Sequence, residues 1–396
     1  MPEAVLNTGD LRLTYPTIHL VRDTTYILAS EININAGQKL VIDAGTLIRV
    51  ANNVAVNVVA GGSIEVKGSH NNPVVFTSTA PKGSQGFADN NWQGISITAS
   101  TAPQASIILS YMRVEFCGGR NRDALSFTNV DSTAVLNNIQ VSYSQSNSFS
   151  FNGGNARAHN LVSYASSLSD YRLSTGYKGL MQNIIAFRHP YFPQISPASF
   201  AGLYIDGVNT LPIISNLSVI GPGGQSSASD AYNNNFAAGI FVTNGAKFLI
   251  KNSVIIGFIK GALSINNAET ARAIEFGPSK LDYSIVQNQD TSRLFYIPLN
   301  IYRRYTALNF KNFMLGSNFK NQSLLSTDDF KLTDPFNYDV NPNITPSTGS
   351  PLFSGADFQD PFFSNSFFQQ VSHRGAIGQQ DWQQGWVNYL PLQTNY

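Results

Sequence analysis

A chain of 396 residues with 25 Lys and Arg against 24 Asp and Glu offers no electrostatic case for a nucleic acid or an anionic membrane as partner. Its single cysteine, Cys117, excludes an intramolecular disulfide. Charged residues make up only 12%, about half the usual share, so Asn, Ser, Thr, Gln and Gly must supply the polar surface, while 42% hydrophobic residues suffice for a large core.

The opening MPEAVLNTGD lacks the pattern of a signal peptide. Residues 1–24 are expected to form an N-terminal cap. From Tyr26 to Gly68 the stretch YILASEININAGQKLVIDAGTLIRVANNVAVNVVAGGSIEVKG alternates short apolar runs with Gly and Asn turns, a β pattern with almost no helical period. Cys117 follows in the strand-like run MRVEFCGG and reads as a small buried hydrophobe. No stretch is long and apolar enough to span a membrane as a helix.

A repeat then becomes legible. It reads LNNIQV at 136–141, AHNLVS at 158–163, MQNIIA at 181–186, ISNLSV at 214–219 and IKNSVI at 250–255. The shared asparagines are Asn138, Asn160, Asn183, Asn216 and Asn252, with spacings of 22 and 23 and then of 33 and 36, one rung plus an insertion. A rung of this length built of strands and turns is the mark of a β-solenoid. Equivalent side chains should then stack about 4.8 Å apart, and a buried Asn column can satisfy its amides along the stack.

A second segment keeps the same order: LSF at 125–127, FSF at 149–151, YRL at 171–173, LYI at 203–205, IFV at 240–242 and LSI at 263–265. Side chains alternate along a strand, so the outer two residues of each should point inward and the central one outward. Turn residues follow most of these strands, at Asn152-Gly153, Thr175-Gly176, Asp206-Gly207, Asn244-Gly245 and Asn266-Asn267. The two ladders agree on rung boundaries. They predict an all-β chain, a right-handed parallel β-helix over residues 25–290. Residues 291–396, rich in aromatics and proline, should fold back along the stack to cover one face or end rather than form a domain of their own.

The outward residues run Ser126, Ser150, Arg172, Tyr204, Phe241, Ser264, placing a cation and two aromatics on consecutive rungs. Sugar rings pack their C–H faces on aromatic rings, and a guanidinium can fork onto hydroxyls or a uronate. Ordinary packing under the folded-back tail is the competing explanation. Two insertions, FRHPYFPQISPAS at 187–199 and GPGGQSSASDAYNNNF at 221–236, leave after the Asn-bearing strand and return just before the outward column, so they should wall the same side. They make His189, Tyr191, Asp230 and Tyr232 candidate contacts beside Asp170 and Asp206. The five histidines, at 19, 70, 159, 189 and 373, show no metal-ligand spacing. No Gly-rich phosphate loop opens a helix. No metal or cofactor is expected.

Four stretches carry a resemblance: LVIDAGTLIRV, GGSIEVKG with the following NPVVFTS, WQGISI at 92–97, and the ending SPLFSGADF with HRGAIGQQDWQQGW. Together they resemble the exported pectin-lyase-like right-handed parallel β-helix proteins of Bacteroidetes-type bacteria, largely uncharacterised and many of them lipoproteins. The resemblance covers nearly the whole chain. It implies the fold and export to the periplasm or outer surface, with a leader outside the present sequence, and it brings no catalytic residues. Relatives often carry adjacent acidic residues just before the outward strands. The matching stretches here, SQSNSF at 144–149 and ASSLSDY at 165–171, keep only Asp170. That loss argues against a Ca²⁺ site or an acid/base pair on this face.

Three functions stay open on these grounds. The first is a non-catalytic exported protein engaging polysaccharide or cell-surface glycan through Arg172, Tyr204 and Phe241, with Asp170, His189, Tyr191, Asp206, Asp230 and Tyr232 around them. The second is a polysaccharide lyase or glycoside hydrolase in the same groove, with Asp170, Asp206 and Asp230 as its carboxylates. The third is a structural or adhesive surface protein without a ligand site.

Overall fold

The computed structural model describes residues 1–80, 91–99, 105–119, 122–190, 201–223 and 238–396. The strands pair in parallel, apart from one short antiparallel pair, and the chain is a right-handed parallel β-helix. It divides into two compact units, Met1–Leu168 with Gln383–Tyr396, and Ser169–Trp382.

In the first unit each rung supplies one strand to each of three ladders. One runs through Ile32–Ile34, Val56–Val58, Ile95–Thr98, Leu125–Thr128 and Phe149–Asn152. A second runs through Thr17–Leu20, Lys39–Asp43 and Ser63–Lys67, and a third through Thr25–Leu28, Leu47–Val50 and Val74–Ser78. From Ile107–Glu115 onward the second and third ladders share one long strand per rung, as in Val135–Ser144 and Ala158–Ser166. Val and Ile alternating with polar residues make these strands, because one face must fill the coil while the other meets water. Parallel pairing begins at Glu3–Leu6 on Thr25–Leu28. The segment expected as a cap therefore already carries ladder strands.

The long strands bend sharply at a residue with left-handed backbone. Asn138 (φ 55°) and Asn160 (φ 57°) lie at one level, because Leu136 pairs with Ala158 and Ile139 with Leu161. Asparagine enters this region more cheaply than other residues with a side chain. The repeat that marks the sequence is thus a column of corners. Residues 383–396 close this unit. The Gln140 amide donates to Asn388 O (2.7 Å) and accepts from Asn388 N (2.8 Å). The Tyr396 hydroxyl meets Glu115 Oε1 at 2.5 Å, and Trp386 is fully buried, edge-on to Tyr111. Cys117 is buried as expected, and burial raises its thiol pKa.

In the second unit one ladder comprises Tyr171–Ser174, Leu203–Asp206, Ile240–Thr243, Leu263–Ile265 and Phe295–Tyr296. Within this unit corners of the same kind stand at Asn183, Asn216 and Asn252, all with φ of 55–58°, and then at Tyr283 and Lys320. At Asn216 and Asn252 the amides bond Gln, Ser and backbone groups rather than one another, which the repeat did not suggest. Asn216 Oδ1 accepts from Gln182 Nε2 and Ser215 Oγ, and its Nδ2 donates to His373 O and Gly375 O. Asn252 donates to Ser215 Oγ and Asp357 O and accepts from Asp357 N. Asn216 and Asn252 therefore dock the returning tail.

That tail lies on the long strands. Gln182 pairs with the backbone of Gln369 in both directions, Lys251 Nζ meets Asp357 at 2.5 Å, and Phe358, Phe363 and Phe368 pack with Leu180 and Leu249. Among the described residues two short helices passed over by the strand pattern interrupt the rungs. Ala268–Phe276 starts at Asn267, whose side chain caps Glu269 N and Thr270 N, and Ala307–Met314 starts at Thr306. Among the described residues no helix is long and apolar enough to cross a membrane.

Candidate functional site

In the second unit the outward column lies where the alternation places it, whereas Ser150 of the first unit, expected outward, is buried. Tyr171 and Leu173, Leu203 and Ile205, and Ile240 and Val242 are buried, while Arg172, Tyr204 and Phe241 between them are half-buried. Register is direct: Arg172 pairs with Tyr204, Tyr204 with Phe241, Phe241 with Ser264 and Ser264 with Tyr296. In the first unit the equivalent positions are small. Ser126 pairs with Ser150, and Ser150 is fully buried.

The Tyr204 and Phe241 rings lie 5.6 Å apart between centroids at an interplanar angle of 16°. Two coplanar rings side by side would need a centroid spacing of about 6 Å or more to avoid a clash, so these overlap face to face with an offset. Each ring turns one face to the other, which leaves the remaining face of Tyr204 on the Arg172 side and that of Phe241 on the Ser264 side. The Tyr204 hydroxyl pKa is raised by partial burial and by the Asp206 carboxylate, against the Arg172 charge. Among the described residues the Arg172 side chain makes no hydrogen bond or ion pair, and no hydrogen bond, ion pair or ring contact joins the tail to the side chains of Arg172, Tyr204 or Phe241. The tail occupies the long-strand side instead.

The other expected contacts divide. Asp206 stays beside the column, where Oδ1 accepts from Asn244 Nδ2 at 2.7 Å. Asp170, expected at the groove, is fully buried, with Oδ2 3.1 Å from Arg188 Nη1, itself fully buried. Its charge is satisfied inside, so it does not face a ligand. His189 packs its ring 5.4 Å from that of Tyr338, and burial lowers its pKa to about 4 against the opposing pull of Asp339. It is a neutral packing group. Tyr191, Asp230 and Tyr232 lie outside the described residues. Asp170 is level with Gly202, since Tyr171 pairs with Leu203, so Asp170 and Asp206 sit four residues apart in strand register. That is about 13 Å at about 3.3 Å per residue, beyond the roughly 5–9.5 Å that separates the carboxyl pairs of glycoside hydrolases. Among the described residues no cluster of His, Cys, Asp and Glu could hold a metal ion.

Tyr296 escaped the sequence reading. Its strand is two residues long and follows a helical insertion, so no turn signal announced it. The only hint was the pattern LFYIP, with an aromatic between apolar neighbours.

A family model described as a pectate-lyase-like beta helix domain matches residues 12–296. No curated protein and no solved structure matches the chain.

Proposed function

Since this chain belongs to the pectate-lyase-like beta helix domain family, whose parallel coils turn sequence register into columns of side chains, we propose that it is an exported protein that holds glycan along its outward column without cleaving it. One observation carries this reading. Arg172, Tyr204 and Phe241 stand in register on consecutive strands, half-buried, with the folded-back tail bonded to the long strands instead. A glycan-free role would leave an aromatic pair, and a guanidinium without a hydrogen-bond partner among the described residues, on the outward face for no packing gain. Arg172 can fork onto hydroxyls or a carboxylate of the sugar, and the ring pair supplies apolar surface beside it. Export rests on the sequence resemblance. The distance between Asp170 and Asp206, together with the burial of Asp170, disfavours a two-carboxylate hydrolase built on these two residues.

Calorimetric titration of the chain against a panel of neutral and acidic oligosaccharides tests the proposal. Binding to at least one glycan is expected, weakened about tenfold or more in both Arg172→Ala and Tyr204→Ala, whose thermal unfolding stays unchanged. Absence of binding across the panel overturns it, and so does binding that both variants leave intact. Appearance of new reducing ends or of unsaturated, ultraviolet-absorbing products would replace it with the enzymatic reading.

A further inference from the structure

The aromatic column has a gap one rung wide. Phe241 pairs with Ser264 and Ser264 with Tyr296, so a small hydroxyl side chain sits between two rings. Tyr296 is 46% exposed and Phe241 half-buried. Two strand spacings of about 4.8 Å separate the bases of these rings by about 10 Å. Tyr204 stacks on one face of Phe241, so the other face of Phe241 is on the Ser264 side of the ladder, the side that leads to Tyr296. A ring held between two aromatic faces is best at about 3.5–4.0 Å from each. It needs about 8 Å between them, and the pucker of a saturated ring takes up part of the remainder.

We propose that the space over Ser264 is a sugar slot that sandwiches one pyranose between Phe241 and Tyr296. This deepens the glycan reading and rests on it. The slot also sets a stereochemical requirement. Both faces of the bound sugar meet aromatic carbon, so both must be clear of axial hydroxyls, because an unpaired hydroxyl pressed on an apolar ring loses its hydrogen bonds to water. A pyranose with all substituents equatorial, as in β-gluco or β-xylo chains, meets that condition on both faces. A galacto- or manno-configured ring has an axial hydroxyl on one. Ser264 Oγ lies at the floor and can bond an edge oxygen of the sugar.

The experiment is titration calorimetry of the full chain with cellohexaose and xylohexaose, against β-1,4-mannohexaose and a β-1,4-galactan oligosaccharide of equal length. Gluco or xylo oligomers are expected to bind at least tenfold more tightly than the other two. Ser264→Phe, which fills the slot and extends the ring stack, and Tyr296→Ala, which removes one wall, should each weaken the preferred ligand at least tenfold with unchanged melting temperature. Equal affinity for all four oligomers overturns the slot, as does a Ser264→Phe protein that binds normally. If Arg172→Ala still weakens binding in that case, the glycan-binding column survives and only the slot falls. If no oligosaccharide of any configuration binds, the proposed function falls with it.

Discussion

Two kinds of side chain hold the coils by means that hydrophobic pattern does not describe. The first is the corner asparagine. Asn252 adopts φ 55° and bonds Ser215, both sides of the Asp357 peptide and, through its carbonyl, Gly375 N. In Asn252→Ala the left-handed backbone alone costs about 1–2 kcal/mol, and each lost hydrogen bond adds about 1 kcal/mol. Asn252→Gly loses the bonds but not the backbone fit, so it should be the milder change by about 1 kcal/mol. Denaturant midpoints at constant slope measure both; alanine no worse than glycine would mean the dihedral is not what the position selects. The second is the buried pair of Asp170 and Arg188. Arg188→Met leaves a carboxylate buried beside no cation and should cost about 3–5 kcal/mol, whereas changing both residues to apolar ones should recover much of that loss. The sequence displayed the asparagines as a repeat but hid their partners, since spacing reports which residues share a level and says nothing of what a returning tail brings to them. Asp170 was misplaced for a related reason. Its place just before an outward strand suggested a groove contact, and only the fold shows Arg188 beside it.

At the scale of strands, titration shows how much a ladder position can cost. Asp282, on the strand Lys280–Asp282, has its pKa raised from 3.8 to about 7, chiefly by burial, which outweighs Lys251 and Lys280 and is reinforced by Asp360 and Asp357. A carboxyl raised on folding binds its proton more tightly in the native state than in the unfolded one. Its contribution is therefore present below about pH 4 and lost as pH rises toward 7. His189 works in the opposite sense. Its pKa falls from 6.5 to about 4, so its contribution is present above pH 6.5 and lost as pH drops through that window. The two oppose each other in mild acid. Asp282→Asn should remove the first, and the stability difference between variant and wild type should grow in the variant's favour from pH 4 to 7 in urea titrations. A constant difference would mean Asp282 is ionised throughout. Ladder membership itself was legible wherever a strand repeated its in–out–in triplet, from Leu125–Thr128 to Leu263–Ile265. It became illegible at Phe295–Tyr296, where the helix Ala268–Phe276 intervenes and the strand is too short to show alternation.

Over the whole molecule the chain path has its own energetics. The backbone leaves the first unit after Leu168 and re-enters it at Gln383, so that unit includes fourteen residues from the far end of the sequence. Truncation after Trp382 would strip the Gln140 amide of both its Asn388 partners, uncover Glu115 and remove the buried Trp386. It should lower the unfolding temperature and speed amide hydrogen exchange along Val135–Ser144, while the strands of the second unit keep their protection. Uniform loss of protection would show instead that the two units unfold as one. The sequence named Trp382 and Trp386 as part of a closing motif, but closure is a long-range contact, and nothing local to the motif says which strand it seals.

The same return path bears on the order of events at synthesis. A solenoid that stacked strictly from one end could finish each coil as it emerged from a ribosome or a translocation channel. Here the long strands near Gln140 wait for residues made almost 250 positions later. A nascent chain halted before Gln383 would carry an unsealed flank, open to proteases and to neighbouring strands, and its earliest-made half would be the last to mature.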